Sequence, residues 1–471
     1  MLLAFAVTFP IVLWDTSGDP IANGDEAIYA QVGREMYDSG AWEVPIWQGT
    51  PILPRPPLSF WVLAAGRVLG AHEASVRLPL GALVAVECAL VVLLGARLFS
   101  LGVGVLAAAL LLSTQLVLRY GRYYESEPLL CIGVLLAFLG YERMRRERSG
   151  VALFAVGLAA ALLTKQIIGL LPLGALVVDR LVRRDSSAPP VTLRRIAVGV
   201  GAALLLVLPW YARMLARFPE FLSVHFVANV IKRSKGQVLR ETTWTYYGEQ
   251  LLRERVLGVV FVLACLIGLV VAWRKQSRGA LLVSGWGLAV LMLYSLARSR
   301  YDYYLLLAYP AFALATAALV LDWLPLRGSI KVLCGAGLVV ANLLTTWPEV
   351  YGTKFGDLDF RALIREGEKR APDTTEILIV EQVPYTARYY ADMRRKVTML
   401  LRSKNDYEGA IWHQEKAGMP TAPELAPDLP AALQRHGPSL LIVPSVLQPI
   451  FYNTPLQLLA KTPTYSLFRW R

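Results

Sequence analysis

The sequence predicts a polytopic α-helical membrane protein with a small soluble α/β domain at its C-terminal end. Three observations predict it. Hydrophobic residues make up 55% of the 471 positions and charged residues 18%, against roughly 45–50% and about 25% in soluble domains. The mean hydropathy is +0.46. Long apolar runs fill the chain as far as residue 347, where the pattern changes to short β-like runs. This balance excludes an ordinary soluble enzyme and a disordered chain.

A membrane-crossing helix needs about 20 mostly apolar residues. Met1 to Trp14 is apolar, with no basic leader and no small-residue cleavage site, and reads as a short first span rather than a signal peptide. Further runs at 77–98, 101–118, 128–141, 151–163, 166–181, 195–212, 256–273, 279–297, 303–323 and 330–347 give about eleven spans. The halves of 151–181 are short for the bilayer and are expected to form a hairpin.

Lys plus Arg is 48 against 35 for Asp plus Glu, a net charge of +13. In a soluble protein that surplus would suggest nucleic acid. Here many of the cations fall in four connectors: Arg143, Arg145, Arg146 and Arg148; Arg180, Arg183, Arg184, Arg194 and Arg195; Arg274, Lys275 and Arg278; Arg327 and Lys331. If residues 57–70 lie along the membrane surface and 151–181 is a hairpin, all four share one side, the cytoplasm by the positive-inside rule. Residues 15–76, 119–127, 213–255, 298–302 and 348–471 then face outward from an inner (plasma) membrane. No nucleic-acid partner is expected.

The chain divides into a transmembrane part, 1–347, and an outer domain, 348–471. In the second part TEILIVEQVP, RRKVTML and PSLLIVPS read as strands, and 359–370 as a helix before them. Such a domain would either cap a site or only stabilise the fold. Cys88, Cys131, Cys265 and Cys334 all lie in apolar runs without CxxC spacing or a nearby His. They are expected to be small buried hydrophobes rather than zinc or redox groups.

Chemistry gathers on the outward face. The first loop reads GDEAIYAQVGREMYDSGAWEVPIWQGTPILPRPPLSFW, with helical periodicity from Asp25 to Tyr37. Asp25 opens that helix, where a carboxylate caps or favours the N-terminus, or does chemistry. Arg55 sits in the stiff run Pro54-Arg55-Pro56-Pro57, as a headgroup anchor or a phosphate ligand. Glu125 and Glu127 lie beside Arg122, Tyr123 and Tyr124, and a third cluster joins Arg298 and Arg300 to Asp302, Tyr303 and Tyr304. Lys165 lies between apolar halves, where a lysine is costly unless paired or functional. The loop 213–255 adds His225, Lys232, Arg233, Lys235, Arg240, Trp244, Tyr246 and Tyr247. Cations on this face run against the orientation rule, and with carboxylates and aromatics they suit a lipid-linked sugar phosphate.

The ordered set GDEAIYAQVGREM, RPPLSFW, SVRLP, RYYESEPLL, LLTKQIIGLLPL, LPWY and ARSRYDYYLLLAYPA resembles the integral-membrane C-type (GT-C fold) glycosyltransferases. The branch it is most similar to holds lipid A aminoarabinose transferase and the protein O-mannosyltransferase-like enzymes, over about residues 1–347. The resemblance implies a GT-C fold of about 11–13 transmembrane helices. It implies transfer of a sugar from a polyprenyl-phosphate donor to an acceptor hydroxyl of a glycolipid, polysaccharide or protein, without a cofactor. It places the general base at Asp25 and the second acid at Glu127, with Glu125 as the fallback. Arg55 and Arg298 fall on the phosphate-clamping positions, and Lys165 and Arg233 on further basic ones. Tyr304 joins the donor set, and Glu26, Tyr29, Glu125 and Tyr247 the substrate set. A single Asp base implies inversion at the anomeric carbon.

One departure has consequences. The aminoarabinose transferases carry a metal-holding Glu before the basic residue, where this chain has Pro54, and their Glu-His pair falls near Asn229-Val230. His225 lies five residues short of Val230. No metal is therefore expected, nor aminoarabinose transfer specifically. Two other readings compete. A transporter or lipid flippase would place ionisable groups at the midplane in repeated halves, and a membrane scaffold would need no such site.

Overall fold

The computed structural model describes all residues except 1, 17–18, 23, 70–72, 183–190, 233, 237–241, 353–357, 382–384, 392–393, 409–422, 452–453 and 471. Every long apolar run folds as helix. The first is α1 (Leu2–Leu13), followed by α2 (Asp25–Ser39), a two-residue hairpin β1 (Ile46–Trp47) and β2 (Thr50–Pro51), and α3 (Leu58–Gly66). Then come α4 (Ala74–Leu98), α5 (Leu101–Ser113), α6 (Gln115–Arg122), α7 (Glu127–Met144), α8 (Ser149–Lys165), α9 (Leu171–Val182) and α10 (Leu193–Arg217). A π-helical segment, Ser223–Lys232, leads to α11 (Tyr246–Arg253), α12 (Val256–Lys275), α13 (Arg278–Leu296), α14 (Tyr309–Ala318) and α15 (Gly328–Tyr351).

Among the described residues six helical stretches are long and apolar enough to cross a membrane, or seven if one bent pair counts as a single span. The chain is a multi-pass membrane protein. Fewer stretches qualify than the eleven apolar runs because several runs are broken. The run 101–118 bends by 67° between α5 and α6. Thr114 causes the break: its hydroxyl donates to Leu111 O (2.7 Å) at the end of α5 and accepts from Val117 N (3.4 Å) at the start of α6. Glu254 then satisfies the first N–H groups of α6, at Gln115 (2.9 Å) and Leu116 (3.0 Å), which no helical carbonyl can reach. The run 303–323 starts as a 3-10 turn, Asp302–Leu307, and ends as a π turn, Leu319–Trp323.

Within 151–181, where a hairpin is expected, the chain turns at the end of α8. Gln166 takes φ 28° and the chain folds back, so that Gly169 lies against Ala161 and Leu162. The helices α7 and α8 pack closely because their seam is made of small residues. A Cβ at Gly157 would stand 2.4 Å from Ala137 N, and one at Gly140 2.3 Å from Phe154 N. This antiparallel pair has two chemically different ends. Glu127 and Lys165 meet at one end. At the other, Arg195 donates to Met144 O and Arg278 pairs with Glu142. An 18-residue α7 separates the two ends by about 27 Å.

The helix expected over 359–370 is α16 (Leu358–Arg370), and it leads into a six-stranded sheet. Its strands are β3 (Glu376–Val380), β4 (Lys396–Leu401), β5 (Pro423–Leu425), β6 (Ser439–Pro444), β7 (Gln457–Lys461) and β8 (Tyr465–Trp470), in the order β5-β4-β3-β6-β8-β7. The first four are mutually parallel, and β8 runs antiparallel to both β6 and β7. The three β-like runs are β3, β4 and β6. The strands β5, β7 and β8 carried no clear alternation. The short helix α17 (Tyr385–Tyr390) follows β3.

The sheet domain rests on the first loop. Arg34 donates to Tyr389 O (2.6 Å) and Ala391 O (3.0 Å). Tyr390 OH accepts from Ile21 N (2.8 Å) and donates to Glu73 (2.7 Å). Gln48 accepts from Val397 N (3.0 Å) and donates to Val397 O (3.4 Å), as a neighbouring strand would. One apolar core runs without interruption from Ala27, Ile28 and Phe60 to Leu363, Ile377 and Leu440. Cys88, Cys131 and Cys265 are buried as expected, but Cys334 is exposed. It sits on α15, an apolar helix with few buried positions.

Candidate active site

Six separated segments converge at the Glu127–Lys165 end of the α7–α8 pair. Gly24, at φ 105°, takes the cap position before α2 and makes no side-chain cap bond. Asp25 is therefore the first residue of the helix, and its carboxylate is spent elsewhere: it accepts from Arg55 Nη2 at 2.9 Å. Arg55 Nη1 donates to Tyr29 OH, and its guanidinium lies 4.8 Å from the Tyr29 ring centre. Arg55 thus bridges the first turn of α2 in two ways.

Glu127 opens α7 and is buried. It takes a hydrogen bond from Lys165 Nζ, with Ser126 Oγ at 3.2 Å. Lys165 ends α8 and lies 4.3 Å from the Tyr304 ring centre and 5.5 Å from that of Tyr303. A lysine at an apolar helix end needs such partners. Glu125 is buried beside these groups, and its Oε2 makes no hydrogen bond among the described residues. Burial, then the charges of Asp25 and Glu127, push its carboxyl well above the usual range, against the pull of Arg55 and Lys165. Two of the three carboxylates therefore have a bonded cation, and the third has its carboxyl pushed upward by burial and by the other two.

A small open cleft lies beside these groups, lined in part by Tyr29, Arg55, Ser126, Lys165, Tyr303 and Tyr304. Gln166 and Asn229 also line it. They were not among the expected site residues. Gln166 carried a signal, an amide inside an apolar run, and Asn229 fell near the place of the related enzymes' Glu-His pair.

The other expected residues lie apart. Glu26 has no exposed surface and is bound by Arg77, by Ala22 N (2.7 Å) and by Tyr124 N (3.0 Å). It ties α2 to the 122–124 loop. Tyr247 is buried in the same core as Tyr304. Arg298 is exposed on its loop, with its backbone bonded to Ser234 and Thr242. Its neighbour Arg300 turns inward to the carbonyls of Thr242 (2.7 Å), Thr243 (2.9 Å) and Ser295 (2.7 Å). Arg233 lies outside the described residues.

Among the described residues no three His, Cys, Asp or Glu are grouped to hold a metal. Next to Arg55 the chain offers the Pro54 carbonyl instead of a carboxylate, and it is occupied by Gln166 and Asn229 (2.7 Å). His225 is committed to Leu53 O at 2.7 Å.

Comparison with known proteins points in one direction. The family model for dolichyl-phosphate-mannose-protein mannosyltransferases matches residues 54–212. An undecaprenyl phosphate-alpha-4-amino-4-deoxy-L-arabinose arabinosyl transferase of Pseudomonas fluorescens is 28% identical over 346 residues, covering 69% of this chain and 61% of that one. Its counterpart in Aeromonas salmonicida is 25% identical over 348 residues, 69% and 62% of the two chains. The chain thus spans less than two thirds of the length of these relatives. ArnT from Cupriavidus metallidurans, solved bound to undecaprenyl phosphate, superposes with a TM-score of 0.74 at 17% identity, over 99% of this chain and 97% of that one. The Archaeoglobus fulgidus oligosaccharyltransferase AglB, solved with an inhibitory peptide and a dolichol-phosphate, superposes at 0.56 and 12% identity, over 95% and 69%. The fold is that of the C-type integral-membrane glycosyltransferases, and the chain resembles the aminoarabinose transferases within it.

Proposed function

We propose that this GT-C chain is a glycosyltransferase. It moves a sugar from a polyprenyl-phosphate donor to an acceptor hydroxyl on the non-cytoplasmic face of an inner membrane. The observation that carries the proposal is the convergence of Tyr29, Arg55, Lys165 and Tyr304 on one cleft, with Asp25 bonded to Arg55 and Glu127 to Lys165. The relatives named for an undecaprenyl-phosphate sugar, and the likeness to ArnT, support the donor class. The outward assignment follows from the opposite end of the α7–α8 pair, where Arg195 and Arg278 lie and where the orientation rule puts the cytoplasm.

In this reading residues 1–347 form the catalytic transmembrane unit and 348–471 an outer domain seated on the first loop. The donor phosphate enters between Arg55 and Lys165, whose charges stabilise the phosphate oxygen as it leaves. A guanidinium can hold two oxygens at once, so phosphate competes with Asp25 for Arg55 and frees the Asp25 carboxylate. Asp25 then takes the proton of the acceptor hydroxyl. The new C–O bond forms as the anomeric C–O bond to phosphate breaks, and the polyprenyl phosphate departs with the electron pair. Attack from the face opposite the phosphate inverts the anomeric carbon. Glu127 fixes the Lys165 ammonium, and Glu125 is assigned to the sugar as a hydrogen-bonding group. Arg298 and Arg233 are assigned to the donor by resemblance alone.

The test is turnover by the full chain with defined polyprenyl-phosphate sugars, against Asp25→Asn. The variant is expected to bind donor and to lose about 10²–10⁴-fold in transfer, the usual worth of a general base. Full transfer by Asp25→Asn would remove Asp25 from that role.

A further inference from the structure

Arg55 lies in a segment that cannot brace itself. Pro54, Pro56 and Pro57 have no N–H to donate, so this stretch can be tied chiefly through its carbonyls. The structure ties them from two distant segments. Pro54 O accepts from Gln166 Nε2 and from Asn229 Nδ2 at 2.7 Å, which fills both of its lone pairs. Leu53 O accepts from His225 Nδ1 at 2.7 Å, and the other ring nitrogen faces Tyr211 OH at 3.3 Å. Burial lowers the His225 pKa to about 4. The ring is therefore neutral near pH 7, with its one proton on the nitrogen that meets the carbonyl.

The placement of these three side chains is specific. Gln166 directly follows Lys165 and sits at φ 28°, a strained conformation for a non-glycine residue. His225 and Asn229 are four residues apart on the π-helical segment, so both reach the same stretch of backbone. One amide thus joins the residue beside one cation to the residue beside the other.

We propose that Gln166, Asn229 and His225 are positioning residues: they hold the Leu53–Pro54 backbone so that Arg55 keeps a fixed separation from Lys165 and the two cations receive a phosphate as one unit. The inference rests on the donor-site reading for its ligand, but the tether itself does not depend on the ligand.

The experiment uses the full chain in detergent, the variants Gln166→Leu and Asn229→Leu, and undecaprenyl phosphate as the probe. Leucine keeps the volume and removes the donor. Each variant is expected to bind the lipid about tenfold more weakly, the effect of one lost hydrogen bond of ordinary strength. In an Arg55→Ala background neither should weaken binding further, because each acts through Arg55. Hydrogen exchange without lipid should rise in peptides covering residues 46–55 and stay unchanged in 128–144. A full additional penalty in the Arg55→Ala background, or unchanged exchange at 46–55, would overturn the positioning role. If Arg55→Ala binds as tightly as wild type, the donor-site reading fails, while the exchange data still decide on the tether.

Discussion

Replacing Arg77 and Glu26 together should cost well below the sum of the two single replacements. Glu26 has no exposed surface and Arg77 is 4% exposed. Arg77 donates to both Glu26 oxygens, to Arg122 O and to Pro20 O (3.1 Å). In Arg77→Met the Glu26 carboxylate keeps only the N–H groups of Ala22 and Tyr124. Stranding a buried charge in this way costs about 3–5 kcal/mol. At about 2.1 cal/mol/K per residue the unfolding entropy of 471 residues is on the order of 1 kcal/mol/K, so Tm should fall by about 3–5 °C. Glu26→Leu should cost a similar amount by stranding Arg77. The double variant Glu26→Leu/Arg77→Met strands neither charge, and its loss should be well below the sum of the two single losses. Tryptophan-fluorescence melts of the three variants in one detergent measure all of this. If the double variant loses as much as the two singles added together, the pair is not a coupled buried unit and Glu26 has some other role.

Two further outcomes follow from the same geometry. Because burial and two carboxylates raise Glu125, the folded state keeps a proton that the unfolded chain gives up at lower pH. That contribution is present below the ordinary carboxylate range and is lost as pH rises toward the raised value. Glu125→Gln, which mimics the protonated form, should therefore flatten the decline of Tm as pH rises above the ordinary carboxylate range; an unchanged slope would rule out Glu125 as its source. Gly157→Val places a branched side chain where even a Cβ stands 2.4 Å from Ala137 N. It should force α7 from α8, cost about 1–3 kcal/mol or more, and lower donor binding by separating Glu127 from Lys165; wild-type melting and binding would contradict that packing.

Much of this organisation was legible in the sequence, for physical reasons that also mark its limits. Apolar runs announce helices because a buried or lipid-facing segment must satisfy its own backbone. The clusters around Asp25, Arg55, Glu125, Glu127, Lys165 and Tyr304 stood out because charged groups beside apolar runs are costly without partners. The partners themselves were not legible. Nothing in the spacing joins Glu127 to Lys165 rather than to Arg122, and nothing separates Glu26, bound to Arg77, from its neighbour Asp25, bound to Arg55. Glu254 over the start of α6 and Asn229 on Pro54 are contacts between distant segments. The strands β7 and β8 were missed because they form an antiparallel edge whose burial alternates poorly.

The pairing of Gln48 with Val397 joins residues 349 positions apart. Synthesis delivers the first loop long before its seat exists. Trp47, which packs edge-on against Tyr385 at 5.5 Å, and Glu35, which lies 4.0 Å from Arg388, must wait without those partners while every helix through α16 is made. This face of the molecule is therefore among the last parts to close. Contacts of such long sequence separation form late because their loop entropy must be met first. The hairpin that precedes Arg55 gains its bond to the sheet only when β4 arrives.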